Sequence, residues 1–495
     1  MKRMLIGGGC GLVLAIGLGY VSIAGQSGFH QWQKDPDITV DLGRVLSGIQ
    51  LPTLDQLESA AAADTSAPGI GDVVVGIDTS MPEPFAPTPQ ARTFIVDNTP
   101  FNGDCPNANF MSIQAAVNAS GRNDTVKVCP GVYTEQVRIM GDTHDGLKLE
   151  SLKPLQAVIQ WPIAETPPLA LVYLGGADHV TLRGFTVSGP FTFPGCSPDR
   201  HEGILVDEAF DARILRNHIT LIRNSVPALF GCQEGDAVSI GRRTPGPTAG
   251  SAHVWQNLID KYQKNGVQAI NSGTFGDIDH NVITGSDDAA LQAIIASNGV
   301  VVFGGAAAKI EHNIVNNNNF TPFPLSTGVI IAETPPGSSK VTHNRVFDND
   351  FGIEIDTQAN LEISHNDVLK NVSDGIVVCG DPLFGCGPAT ALTVRQNDVT
   401  DNGGSGVALF GASENLFKSN QVERNGDALT PPPDFTDGFR VEANSKGNRI
   451  LENHMRDNVT HDCHDDSAGG GTAGTANFWI NNRGATENRT GLCRP

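Results

Sequence analysis

The chain has 495 residues, 54 acidic side chains against 33 Lys and Arg, and a formal charge of −21 with no basic run. Such a surface repels phosphate backbones, which argues against nucleic acid as a partner, and it makes unassisted binding of polyanionic sugars harder, a bound Ca²⁺ being one way to reverse the sign locally. Aromatic residues are 6% of the chain, so the core must be built from Ile, Val and Leu.

Residues 1–24 carry Lys2 and Arg3, an apolar stretch from Met4 to Ile23, and small Ser22 and Ala24 at cleavage offsets. They read as a signal peptide, or as an uncleaved anchor that would be the chain's one membrane contact. Losing Lys2 and Arg3 with the leader removes two positive charges and takes the net charge to −23. Residues 25–92, rich in Ala, Pro, Ser and Asp, read as a spacer with one short helix near Leu51 to Ala62. Ordered structure is predicted from Thr93. The spacing of Ile113, Ala116 and Val117 predicts an amphipathic helix before the first coil, where it covers an open sheet end.

From there the text repeats. Asn followed two residues later by an aliphatic residue recurs at Asn217, Asn257, Asn281, Asn313, Asn344, Asn366, Asn397, Asn420 and Asn453. From Asn257 the steps are 24, 32, 31, 22, 31, 23 and 33 residues, a basic period sometimes lengthened by one loop. Each period holds a short aliphatic run, the motif Asn, usually a second Asn, then a Gly opening another run, as in Lys340 to Asn344, Asn349 and Gly352 to Asp356. Runs of four or five β-branched residues are strands, and strands at one-turn intervals coil the chain into a solenoid with insertions. Stacked Asn side chains about 4.8 Å apart form an amide ladder.

These repeats resemble the right-handed parallel β-helix, pectin-lyase-like superfamily over roughly residues 93 to 460, and the phrase Asp124 to Tyr133 with Glu135 and Val137 resembles that superfamily's opening segment. The resemblance implies an all-β fold, a right-handed parallel β-helix with an N-terminal capping helix. Residues 461–495, from Cys463 through the Gly469 to Asn477 loop, read as a C-terminal cap closed by a disulfide. The implied activity lies on polysaccharide, as hydrolase, lyase or epimerase; a non-catalytic carbohydrate-binding or adhesin-type β-helix is the alternative. The expected state is a secreted or cell-surface monomer whose partner is a polysaccharide or cell-surface glycan.

Eight cysteines follow the leader, and an even count in an exported chain favours disulfides. The shortest loops join Cys105 to Cys129, Cys196 to Cys232, Cys379 to Cys386 and Cys463 to Cys493. No C-x-x-C pair suggests zinc.

In a β-helix, functional groups arrive as columns across coils. The position before the strand-opening Gly holds Glu202, Asn265, Asp288, Thr327, Phe351, Asp374, Ser405 and Asp437, with Asp236 and Asp287 beside it. The pair Asp287 and Asp288 resembles the Asp pair of the pectin-degrading glycosidases of this fold, although their Gly-His-Gly and Arg-x-Lys motifs are missing. Placed two coils apart, Asp236 and Asp288 would stand about 9.6 Å from each other, near the spacing of inverting carboxylates. Turn-making is the competing role for such acids. His201 beside Glu202 adds a proton shuttle.

His precedes the motif Asn at His280, His312, His343 and His365, predicting an imidazole ladder, with His312 and His343 as possible metal ligands or simply as turn packing. The segment His461 to Asp466 is a further candidate for a divalent cation, or a solvated acidic turn. Two insertions holding Phe323 and Phe435 are expected to wall a sugar-binding trough whose exposed floor carries Glu354, Asp356, Asp374 and Phe410. Lys264, Arg242 and Arg243 are the cationic candidates for lyase chemistry, with no evident grouping.

Overall fold

The structure is a computed structural model describing residues 90–494 apart from 100–104, 106, 244–245, 322 and 427–435. The leader, nearly all of the spacer and Phe435 lie outside the described residues.

Each regular coil contributes one strand to each of three sheets, of 14, 12 and 12 strands. Lys340–Thr342 runs in sheet 1, Arg345–Phe347 in sheet 2 and Phe351–Asp356 in sheet 3; the next coil repeats with Glu362–Ser364, Asp367–Leu369 and Ile376–Cys379. All these pairings are parallel, and their register sets Val341 on Ile363, Val346 on Val368 and Ile353 on Ile376. All six side chains point inward and are fully buried. Val and Ile suit these stacks because branching at Cβ restricts χ1 and fits the pleated surface.

The turn from sheet 1 to sheet 2 is built on the motif Asn. Asn344 Oδ1 accepts from the backbone N–H and side-chain amide of Asn313, while its own amide donates to Asn366 Oδ1 and the Ile310 carbonyl, all at 2.8–3.0 Å. The same pattern links Asn217 to Asn482, one coil beyond the nine motifs seen in the text. A second ladder in the turn from sheet 2 to sheet 3 runs through Asn318, Asn349, Asn371, Asn402, Asn425 and Asn458. Here Gly352 is required by contact: a Cβ would lie 2.4 Å from the Gly375 carbonyl and 2.5 Å from Val368 Cγ1.

Helix α1 (Ile113–Ala119) covers the first coils with Ile113, Ala116 and Val117 buried, as their spacing predicts. Glu135 accepts from the N–H groups of Ile113 and Gln114, satisfying two free donors at the helix start. At the other end the coil does not stop at residue 460. Cys463–Asp465 pairs with Phe439–Val441, and Phe478–Ile480 pairs with Arg449–Leu451. All four disulfides join the neighbours that loop length selects. Among the described residues no helix is long and apolar enough to cross a membrane.

Candidate functional site

The outer face of sheet 3 collects the chain's unusual chemistry. Register places Glu202 on Asp236 in the next coil and Asn265 on Asn298, with Thr327 on Phe351 further along. The column anticipated in the text is therefore real, with one substitution. Asp288 does not belong to it, because residues 285–297 form a loop ahead of the strand and Asn298 takes the position two coils from Asp236. Asp288 instead caps the short helix α2 (Ala289–Gln292), accepting from the Ala290 N–H, and pairs with Arg223 at 2.8 Å. Asp287 accepts from the Asn317 amide. The two aspartates hold an insertion together and make no pair with Asp236.

Asp236 has its oxygens occupied by Asn265 Nδ2 and Gln268 Nε2, each at 2.8 Å, and by Arg200 at 3.2 Å. It is 0% exposed. Glu202 beside it is pushed up to about 8, first by burial and then by the negative charge of Asp236, with Arg200 working in the opposite direction. At neutral pH this carboxyl keeps its proton.

Glu202 lies in a pocket of about 140 Å³ lined by Pro167, Pro168 and Leu169 on one wall and Arg200, Arg242 and Arg243 on the others. Arg242 Nε is 3.3 Å from Asp207 Oδ2, and Arg243 lies 4.6 Å over the Phe303 ring. Three arginines thus line one pocket of a strongly acidic chain, Arg200 and Arg242 each paired with a buried carboxylate. Arg242 and Arg243 belong to a set after all, completed by Arg200, whose only sign in the text was its place in the charged run Asp199 to Glu202. Lys264 is elsewhere, donating to the Ala296 carbonyl.

His201 is sealed rather than poised at a substrate. It stacks on Phe191 at 4.0 Å, with Nδ1 2.6 Å from Glu234 and Nε2 3.2 Å from Glu165, and is 0% exposed. Burial alone would lower its pKa, but the hydrogen bonds to Glu165 and Glu234 outweigh this and raise it. His201, held between Glu165 and Glu234, ties three insertions together. Glu165 and Glu234 carried no signal, being far apart in the chain and outside any repeat.

The proposed trough floor is closed. Glu354, Asp356, Asp374 and Phe410 are 5%, 3%, 0% and 5% exposed. Burial pushes Glu354 up to about 7 and Asp356 up to about 6. Glu354 accepts from Thr327, and Asp374 accepts from the Ser405 N–H, the turn-making role. Phe410 packs edge-on to Phe384 in an apolar cluster fastened by Cys379–Cys386. Phe323 remains partly exposed, edge-on to Phe320.

The imidazole ladder forms, with ring centroids 4.7, 5.1 and 4.7 Å apart from His280 to His365 and interplanar angles of 18°, 14° and 3°. Every one of these histidines has φ between 54° and 57°, the left-handed turn position. Asp279 lies beside His280 and His312. His312 and His343 stack on each other, and His343 has no carboxylate in the ladder's one mixed Asp and His group. A second such group is Asp437, His461 and His464. Ca²⁺ takes six to eight oxygen ligands; among the described residues both groups centre on imidazole, and the other two include disulfide sulfurs. None fits Ca²⁺.

Residues 247–384 and 383–493 match the family model described as "Right handed beta helix region". A comparison with curated proteins returns no match. Among solved structures the chain is similar to the periplasmic alginate epimerase AlgG, at 11% identity over 74% of this chain and 77% of that one, with a TM-score of 0.39. It is similar also to XylC in complex with xylose, at 12% identity over 74% and 83% with a TM-score of 0.44. The A-module of Azotobacter vinelandii mannuronan C-5 epimerase AlgE4 gives 14% over 77% and 95%, with a TM-score of 0.33. No TM-score among these reaches 0.5, so they decide neither substrate nor reaction. The three parallel sheets and the family match together identify the chain as a right-handed parallel β-helix protein.

Proposed function

We propose that this β-helix is an exported enzyme acting on an acidic polysaccharide, with Glu202 as the proton-transfer group and Arg200, Arg242 and Arg243 as the clamp for a sugar carboxylate. The observation that carries the reading is a carboxyl raised to about 8 that shares one pocket with three arginines. Planar, permanently charged guanidinium is the side chain best matched to a carboxylate. Neutralising a uronate carboxylate acidifies the carbon-bound proton next to it, and a base with a pKa near the working pH removes that proton most efficiently.

The burial of Asp236 favours one reaction type over another. Hydrolysis by two carboxylates needs both to reach the sugar, whereas Asp236 is fully enclosed and its oxygens are occupied. Asp236 is accordingly a positioning residue that sets the charge next to Glu202. Elimination at a uronate suits the pocket better: Glu202 takes the proton next to the clamped carboxylate, the C4–O bond breaks, and the same carboxyl returns that proton to the departing oxygen. Four disulfides fit folding in an oxidising, extracytoplasmic compartment.

A non-catalytic glycan-binding role is the second reading, favoured by the 3% exposure of Glu202. A panel of polyuronates and neutral glycans separates the two, with reducing ends, unsaturated products and C-5 inversion read independently. The expected result is turnover of a uronate polymer that rises as pH approaches about 8 and is lost in Glu202→Gln. Inactivity on the whole panel with unchanged glycan retention by that variant establishes the binding role instead.

A further inference from the structure

At the far end of sheet 3 from the arginine pocket, Asp437 stands at the head of one strand while His461 and His464 flank and occupy its neighbour, Cys463–Asp465. Asp437 is 1% exposed, and His464 and His461 show 12% and 29% of their side chains. His461 Nδ1 is 3.0 Å from Asp437 Oδ1, and His464 Nδ1 is 3.3 Å from Asp437 Oδ2. The two Nδ1 atoms are 3.3 Å from each other.

The geometry points to a zinc-type transition-metal site held by Asp437, His461 and His464. Ligands about 2.0–2.1 Å from a tetrahedral zinc stand about 3.3 Å apart, close to the 3.3 Å between the two Nδ1 atoms and to the 3.0 and 3.3 Å that separate each of them from one or the other oxygen of Asp437. Two imidazoles that turn the same ring nitrogen toward each other and toward one carboxylate crowd two N–H groups if both are protonated there; a shared cation replaces both protons.

The surroundings match. The other nitrogen of His464 lies 3.0 Å from Asp466 Oδ2 but outside hydrogen-bond geometry, and a small turn of that carboxylate would make it the partner that orients metal-bound histidines. Arg440 bonds Asp437 and Glu442, so Asp437, Glu442 and Asp466 against one guanidinium leave two negative charges around neutral imidazoles. Imidazole and carboxylate together suit zinc and its neighbours rather than Ca²⁺ or Mg²⁺. Cys463–Cys493 anchors the strand between the two histidines, so the donors sit on a braced element.

The test uses the full exported chain, stripped with EDTA and titrated with ZnCl₂ by calorimetry, with bound metal counted after desalting and Co²⁺ spectra recorded. The expected result is one zinc per chain with a dissociation constant below about 1 µM, and tetrahedral-type visible bands with Co²⁺. His464→Ala and His461→Ala should each abolish this binding. Asp466→Asn keeps all three donors and should weaken binding about 10- to 100-fold, which guards against a folding defect in the alanine variants. The His312→Ala/His343→Ala variant should keep its zinc. A wild-type chain that takes up no zinc at 100-fold molar excess, or a folded His464→Ala chain that binds like wild type, overturns the assignment and leaves a hydrogen-bonded Asp, His and Arg network.

Discussion

The two turns that bound sheet 2 obey the same ladder chemistry but differ in how far their lengths vary. Between sheets 1 and 2 the connection is two residues in coil after coil, as at His343 and Asn344. Between sheets 2 and 3 it varies from the two residues 135–136 to the thirteen residues 285–297 and the fifteen residues 221–235. The first turn is scaffold and admits almost no variation, because each amide feeds its neighbours above and below. The second is where the chain departs from its repeat, and the insertions carrying Glu165, Arg200, Glu234 and Asp288 are built there. Chemistry sits where the period breaks.

The sharpest way to break this contrast is to remove one ladder amide from the first turn and one amide of an insertion from the second. Asn366→Ala deletes the acceptor used by Asn344 and the donor serving Val341 and Asn397, all buried. A loss of about 3 kcal/mol or more is expected by urea unfolding, since several buried polar groups lose partners together. Asn317→Ala, in an insertion, removes an amide that bonds Asp287 at a partly exposed position and should cost less than about 1 kcal/mol. Equal losses would mean that both turns are scaffold. Gly352→Ala comes next, at about 1–3 kcal/mol, because its Cβ has no room against the Gly375 carbonyl.

Glu202→Gln probes the varied side of the comparison through pH. The folded carboxyl holds its proton to about 8, whereas its unfolded value is near 4.5. Below 4.5 both states are protonated and the contribution to stability is complete. Between 4.5 and 8 only the unfolded chain releases the proton, so stability falls as pH rises. Gln never ionises. The variant should match wild type at pH 4 and exceed it by roughly 4 kcal/mol at pH 8, while losing activity. A constant difference across that range would show that Glu202 is not the buried acid.

How much of this was legible follows the same division. The solenoid, both Asn columns, the capping helix and the disulfide partners could be read because each rests on spacing, which insertions shift without erasing. The acid column was read with a single wrong member. Asp288 stands before an Ala-Ala-Leu stretch that imitates the strand opening, and only the register of Asn265 with Asn298 exposes the loop. The arginine set was unreadable for a different reason: Arg200 and Arg242 come from loops on opposite edges of sheet 3, and no period relates them. Outward-facing positions were identified, but alternation says which side a residue faces and not whether neighbours close over it, so Glu354 and Phe410 were expected in solvent.

The imidazole ladder yields the smallest effect, and it tests whether the invariant turn is electrically as quiet as it is structurally uniform. His343 is lowered, first by desolvation and then by the neighbouring His365 and His312, since a proton on one ring opposes a proton on the next. Its folded pKa is below the unfolded value near 6.5, so the unfolded chain takes up protons first as pH falls, and stability drops through that window. Asp279 beside His280 and His312 relieves part of the repulsion at one end. The expected outcome is that acidification from pH 7.5 to 5.5 lowers the urea midpoint less in His312→Ala/His343→Ala than in wild type. Because the other histidines are common to both chains, the difference isolates the ladder. An identical acid response would mean that the rings titrate independently and that their stacking is packing alone.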